Sequence, residues 1–170
     1  MWFLNGLRLA AATGFTGVVV WAAISDVRFR KIPNWTILAL LGLFPAFALA
    51  GTLAWALWSL VGAVVVFVVT YALYAFKLLG AGDSKLFSAV ALFVGLGEIA
   101  RLGVLAALAG GLIALVIVLS RPRRALMMFS LRGKGDFGSG IPYGVAIAVA
   151  GLAIVWAGVL HIPTRWVLSL

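Results

Sequence analysis

The sequence predicts an all-α, polytopic membrane protein with six transmembrane helices and both termini on the outer, periplasmic side. Hydrophobic residues make up 65% of the 170 residues, and the mean hydropathy is +1.23. A soluble domain of this length could not cover so much apolar surface, so the composition fits a protein whose solvent is lipid. We therefore expect one membrane-embedded domain over residues 1–170.

Long uncharged stretches define the predicted crossings. The stretch from Ile32 to Phe76 covers about 45 residues, or roughly 67 Å as helix, which is enough for two crossings with a break near Gly51. The first apolar run is longer than a signal-peptide core and lacks a convincing cleavage site, so we expect it to be retained. The predicted spans are about 7–25, 36–50, 53–76, 80–97, 101–120 and 141–160, and a basic loop occupies 121–140.

The basic residues indicate the orientation of these spans. Ten of the thirteen fall in three connections: Arg28, Arg30 and Lys31; Lys77 and Lys85; and Arg121, Arg123, Arg124, Arg132 and Lys134. This alternation is the positive-inside pattern, which places the three connections in the cytoplasm. The net charge of +9 could also indicate nucleic-acid binding, but the basic clusters lack interleaved aromatic residues and a soluble fold. We expect membrane lipids as partners of the basic loop, and no nucleic acid.

Two of the four acidic residues lie where a membrane protein tolerates charge least. Asp26 ends the first apolar run, and Asp83 lies in the segment Gly80-Ala81-Gly82-Asp83-Ser84-Lys85. The uncharged stretch that follows, Leu86 to Gly97, is about 12 residues long, too short for a hydrocarbon core about 30 Å thick. A fourth crossing therefore draws Asp83 into the bilayer boundary, where ionisable groups are by default functional. The predicted topology brings both aspartates to the cytoplasmic boundary.

A pair of carboxyl groups can hydrolyse an amide bond if the two share one proton across a water molecule. The ionised group takes a proton from the water while the protonated partner polarises the carbonyl group. Close like charges do not both ionise easily, which keeps one partner protonated. Gly80 and Gly82 would let a substrate backbone approach closely. We expect no metal and no cofactor, because the chain has no cysteine and His161 is its single histidine.

The same residues also allow plainer interpretations. Asp26 could pair with Arg28, and Asp83 with Lys85, as ion pairs at helix ends, or Lys85 could extend to the lipid headgroups. A second Gly-x-Gly-Asp copy, Gly133-Lys134-Gly135-Asp136, lies in the basic, glycine-rich loop. Nothing in that loop would hold a carboxylate rigidly on a helix, as catalysis requires, so we favour the first copy.

Three segments resemble the type IV prepilin peptidase family of intramembrane aspartyl proteases, and most closely its short CpaA/TadV-like branch, which serves Flp (tight-adherence) pili. They are Ser25-Asp26-Val27-Arg28-Phe29-Arg30-Lys31-Ile32-Pro33-Asn34, Gly80-Ala81-Gly82-Asp83-Ser84-Lys85 and Gly140-Ile141-Pro142-Tyr143-Gly144. The resemblance implies a six-helix core in the bacterial inner membrane and cleavage of the N-terminal leader from pilin-like precursors at the cytoplasmic face. Longer members carry a cytoplasmic insertion with paired cysteines and also methylate the new terminus. This chain has neither the insertion nor a cysteine, so we do not predict methyltransferase activity.

The resemblance also assigns roles to individual residues. By it, Asp26 and Asp83 are the catalytic pair, and Gly80, Gly82 and Lys85 are the residues that flank the second aspartate.

Two further residues have open roles on their own chemistry. Asn34 could hydrogen-bond Asp26 or a substrate backbone, or it could cap the second helix. Pro142 could free a carbonyl group near the active site, or it could simply occupy a first helical turn, where proline is favoured.

The leading hypothesis is thus a leader peptidase for pilin-like precursors. Intramembrane aspartates also relay protons, so a proton-coupled transporter or channel is the alternative. A scaffold subunit of a secretion machine, indifferent to the loss of either carboxylate, is a third possibility.

Overall fold

The computed structural model describes residues 2–120 and 142–160, and every regular element in these two ranges is a helix. The six α-helices are α1 (Trp2–Phe29), α2 (Asn34–Leu49), α3 (Leu53–Ala75), α4 (Ala81–Val94), α5 (Ile99–Ser120) and α6 (Tyr143–Val159), with a 3-10 turn at Leu96–Glu98. The predicted all-α class is confirmed. The predicted basic loop 121–140, which contains Asp136, and His161 lie outside the described residues.

The helices are those of a multi-pass membrane protein. Within residues 2–120 and 142–160, three segments are long and apolar enough to cross a bilayer: Gly6–Phe29, Leu53–Ala75 and Leu96–Ser120. Large apolar side chains such as Val64 on α3 and Leu112 on α5 are exposed, as expected for helices that contact lipid. Helices α2 and α6 are also apolar but shorter, with 16 and 17 residues. Crossing of the bilayer by all six helices stays a prediction.

Local sequence accounts for the helix ends. Thr52 caps α3, because its hydroxyl accepts a hydrogen bond from the backbone N–H of Trp55 at 3.2 Å. Helix α1 continues to Phe29, beyond the end of the predicted span, so Asp26 lies in its last turn. Helix α4 ends at Val94, earlier than expected, because the following Gly95 has a φ of 84°, a left-handed conformation that stops a helix.

The shortest helix, α4, forms the centre of the bundle. It packs against α2, α3 and α6, and ten of its fourteen residues are buried. The Phe93 ring lies 4.6 Å from the ring of Phe15 on α1, and 5.8 and 5.3 Å from the rings of Phe44 and Phe47 on α2. In the polar first turn of α4, Asp83 and Ser84 are also buried.

Helix α6 packs closely on both α1 and α4. A Cβ atom placed at Gly151 would lie 2.5 Å from Cγ1 of Val90 on α4, so only glycine allows this approach. The indole N–H of Trp156 donates a hydrogen bond of 2.9 Å to the hydroxyl of Thr16 on α1. The start of α6 lies beside the end of α1, where the backbone N–H of Gly144 donates a hydrogen bond to Asp26.

Candidate active site

Asp83 lies in the first turn of α4 and is 8% exposed. Gly80 is the N-cap of this helix, and its backbone hydrogen-bonds the Asp83 carboxylate. A Cβ atom at Gly80 would lie 2.7 Å from Oδ2 of Asp83, so the carboxylate folds back over the helix start. The free N–H groups and the dipole at a helix N-terminus favour a negative charge at this position.

Asp26 reaches the N-terminus of a different helix. It is 7% exposed in the last turn of α1, and its Oδ2 accepts a hydrogen bond of 2.9 Å from the backbone N–H of Gly144. Gly144 is the second residue of α6. A Cβ atom there would lie 2.8 Å from Oδ2 of Asp26, so a side chain at this position would displace the carboxylate.

Both carboxylates lie at the same end of the bundle, because α6 packs against α1 and α4 and its start hydrogen-bonds Asp26. Across residues 2–120 and 142–160, the salt bridge is the 2.8 Å pair of Arg101 with Glu98, and neither aspartate is in an ion pair. The ion pairs Asp26–Arg28 and Asp83–Lys85, which the sequence allowed, are therefore not formed within these ranges. In the same ranges no three His, Cys, Asp or Glu side chains gather as metal ligands. Asp26 and Asp83 are thus two buried carboxylates at one end of the bundle, and their joint role in catalysis stays a prediction.

Lys85 on α4 contacts Asn34 on α2. The Lys85 Nζ donates a hydrogen bond of 3.2 Å to Oδ1 of Asn34. The suggestion that Asn34 caps the second helix is wrong, because the N-cap of α2 is Pro33, with φ −64° and ψ 138°, and no side chain caps it. Asn34 lies one residue inside α2, where its amide oxygen is available to Lys85. The pair links the start of α2 to the start of α4.

Gly82 faces the connection between α1 and α2. A Cβ atom at Gly82 would lie 3.2 Å from Cβ of Ile32, and the hydroxyl of Ser25 holds this connection by donating 2.8 Å to the carbonyl oxygen of Lys31. The glycines therefore both have an internal packing reason: Ile32 fills the space beside Gly82, and the Asp83 carboxylate fills the space beside Gly80. Close approach of a substrate backbone to them stays a prediction.

Pro142 is the N-cap of α6, directly before its first residue. Its own carbonyl oxygen accepts a hydrogen bond of 3.2 Å from the N–H of Val145. The carbonyl group that a proline frees belongs to a residue earlier in the chain, outside the described residues, so that role stays a prediction. The sequence analysis did not identify Gly144 as the donor to Asp26. The signal available was a glycine two residues after a proline that begins a helix, since the first N–H groups of a helix are free to bind an anion.

Comparison with protein families gives a match that covers both carboxylates. The profile of the type IV leader peptidase family matches residues 13–119, more than half of the chain. The chain belongs to this family. Neither the comparison with curated proteins nor that with solved structures finds a match. The matched range contains Asp26 and Asp83 and ends before Asp136. Membership implies a peptidase that acts on prepilin leaders in general.

Proposed function

We propose that this type IV leader peptidase is an aspartic-type endopeptidase in which Asp26 and Asp83 form the catalytic pair. The observation that supports the assignment is the placement of two buried carboxylates, from α1 and α4, at the same end of the bundle, each at a helix N-terminus and without a neutralising ion pair within the described ranges. Buried charges in proteins are normally paired or bind metals, so an unpaired couple is a candidate for chemistry.

The reaction uses one water molecule held between the two carboxyl groups. The ionised group accepts a proton from the water as its oxygen attacks the carbonyl carbon of the scissile peptide bond. The protonated partner donates its proton to the carbonyl oxygen, giving a tetrahedral intermediate. This intermediate collapses by breaking the C–N bond: one hydroxyl group returns its proton to the ionised carboxylate as the C=O bond re-forms, and the leaving nitrogen takes the proton of the protonated carboxyl group. The products are a leader with a new carboxylate and a mature protein with a free amine, and no cofactor takes part.

The precursor enters the site from the membrane in this proposal. A pilin-like precursor is itself an apolar helix in the bilayer, and its cleavage site emerges beside the carboxylates. Exposed cations surround the same end of the bundle: Arg28, Arg30 and Lys31 at the end of α1, Lys77 after α3 and Lys85 in α4. By the positive-inside rule we place this end in the cytoplasm. If all six helices cross the bacterial inner membrane, both termini then lie on the outer, periplasmic side.

The proposed substrate class rests on the family and on the resemblance carried by three segments of the sequence. The three quoted segments resemble the short CpaA/TadV-like branch, so we propose Flp-type pilin precursors as substrates. Methyl transfer to the new amine is not part of the proposal. Family membership supports a peptidase, and no observation in the described residues favours a proton-coupled transporter that uses the same aspartates.

The test is co-expression with a candidate pilin precursor, following the loss of leader mass by mass spectrometry. Asp26→Ala and Asp83→Ala should each abolish processing, because one carboxyl group cannot perform both proton transfers. Asp136→Ala is the matched control in the second Gly-x-Gly-Asp copy and should process normally. An immunoblot of the membrane fraction checks that all variants accumulate equally. Full maturation of the precursor by either of the first two variants would contradict the proposal.

A further inference from the structure

A buried hydroxyl network joins α3 to the turn of α4 that carries Asp83. The hydroxyl of Ser84 donates a hydrogen bond of 2.9 Å to Oγ1 of Thr70 on α3, and these two residues are 2% and 6% exposed. Thr70 in turn donates 2.8 Å to the carbonyl oxygen of Val66 in its own helix. The hydroxyl of Ser88 donates 2.8 Å to the carbonyl oxygen of Ser84. Ser84 is thus held through both its side chain and its backbone.

Ser84 is placed to fix the rotation of the first turn of α4. Its backbone N–H donates 3.0 Å to the carbonyl oxygen of Gly80, which closes the turn that contains Asp83. Ser84 and its neighbour Asp83 lie in the same helical turn, about 100° apart around the axis. A rotation of this turn about the helix axis therefore moves both residues together. Such a rotation would carry the Asp83 carboxylate away from Asp26. A directional bond from Ser84 to α3 opposes that movement.

Apolar packing alone fixes the rotation of this turn less precisely than a hydrogen bond does. Hydroxyl pairs between membrane helices are directional, and without Thr70 the hydroxyl of Ser84 would lose the acceptor of its hydrogen bond in apolar surroundings, whereas Thr70 would keep its bond to Val66. Ser59 provides a comparison on the same helix. It is fully buried, and within the described residues its hydroxyl has no hydrogen-bond partner. Helix α3 therefore accommodates a buried hydroxyl without a bond at Ser59 and uses one across the interface at Thr70.

We infer that Thr70 is a positioning residue for Asp83, acting through Ser84. The inference rests on the proposed function, because positioning has a kinetic meaning only if Asp83 takes part in the reaction. Thr70 itself contacts neither carboxylate. It holds the turn from which Asp83 meets Asp26.

The first test compares purified variants with a precursor that the wild-type enzyme cleaves. Thr70→Val keeps the shape but removes the hydroxyl, and we expect kcat to fall about tenfold with KM within about twofold, because misplaced reacting groups slow chemistry more than binding. Thr70→Ser should restore kcat, since it keeps the hydroxyl. Ser59→Ala should behave as wild type. An unchanged kcat per folded molecule for Thr70→Val, with only a lower yield of folded protein, would overturn the inference.

The second test does not depend on cleavage. Hydrogen exchange of the backbone amides in residues 82–86 reports the stability of the first turn of α4. We expect faster exchange there in Thr70→Val than in wild type, and no change in Ser59→Ala. Equal protection in all three proteins would overturn the positioning role whatever the enzyme cleaves. Faster exchange in Thr70→Val, together with wild-type protein that cleaves no pilin precursor, would support the positioning role and count against the proposed function alone.

Discussion

At the scale of single residues, a buried carboxylate must find hydrogen-bond donors, and the two aspartates find theirs in different ways. The Asp83 carboxylate is hydrogen-bonded by the backbone of Gly80, three residues earlier in the same turn. The Asp26 carboxylate is hydrogen-bonded by the backbone of Gly144, which is 118 residues away in sequence. The surroundings of Asp83 are therefore built by one helix start, whereas those of Asp26 depend on the docking of α6 against α1.

The dependence of Asp26 on Gly144 gives a prediction. In Gly144→Ala the new methyl group would lie 2.8 Å from Oδ2 and 3.1 Å from Cγ of Asp26, so the carboxylate must move. We expect the rate of leader removal to fall by about 10- to 100-fold, because small displacements of reacting groups have effects of this size. Time courses of precursor processing measure it. Gly158→Ala is the control on the same helix, since its nearest neighbouring atom is 3.9 Å away; equal rates for the two variants would refute the dependence.

The two buried carboxylates could be predicted from the sequence, but their hydrogen-bond donors could not. Asp26 and Asp83 are conspicuous because charge is rare in so apolar a chain. Gly144 acts through its backbone N–H, which every residue except proline carries, so its role depends on where α6 packs. For Asn34 the sequence left open a bond to Asp26, a bond to a substrate backbone or a helix cap, and none of these alternatives foresaw Lys85 on α4 as its partner.

At the scale of secondary structure, the helices were predictable while their neighbours were not. Each long uncharged stretch of the sequence contains helix, because apolar length and breaks such as Gly51 are local signals. The central position of α4 has no such signal, since it is the shortest α-helix and begins with a polar turn. Only the contacts of Phe93 with α1 and α2, and of Gly151 with Val90, reveal that the other helices enclose it.

The close approach of α6 to α4 predicts a compensating pair of substitutions. Gly151→Ala should lower the free energy of unfolding by about 1–3 kcal/mol, because its methyl group would overlap the fully buried Val90. Val90→Ala removes the obstructing atoms, so the double variant should be less destabilised than the sum of the two single variants. Reversible unfolding in mixed detergent micelles measures all three. Gly103→Ala, where a Cβ atom meets nothing within 4 Å, is the neutral control; strict additivity of Gly151→Ala and Val90→Ala would contradict the contact.

At the scale of the whole molecule, the two ends of the bundle differ in chemistry. One end holds the carboxylate pair and the exposed cations that follow α1 and α3. The other end holds a pocket lined by Trp55, Trp58 and the turn that contains Glu98, whose charge is neutralised by Arg101. The exposed cations at the carboxylate end are the basis, through the positive-inside rule, for the proposal that this end is cytoplasmic.

This orientation can be tested directly, because the natural chain contains no cysteine and any introduced one is unique. Gly51→Cys and Gly97→Cys lie in the two turns at the end opposite the carboxylates, and a Cβ atom at Gly97 meets nothing within 4 Å. Both should react with a membrane-impermeant maleimide added to intact spheroplasts. Lys31→Cys and Leu78→Cys are exposed at the carboxylate end and should react only after permeabilisation.

The labelling result bears on the substrate as well as on topology. A precursor leader that stays in the cytoplasm can reach Asp26 and Asp83 only if both lie at that face. If Lys31→Cys and Leu78→Cys reacted from outside while Gly51→Cys and Gly97→Cys were protected, the carboxylate pair would face the periplasm. The two acids could then still act together as a peptidase, but only on substrates whose cleavage site has already crossed the membrane.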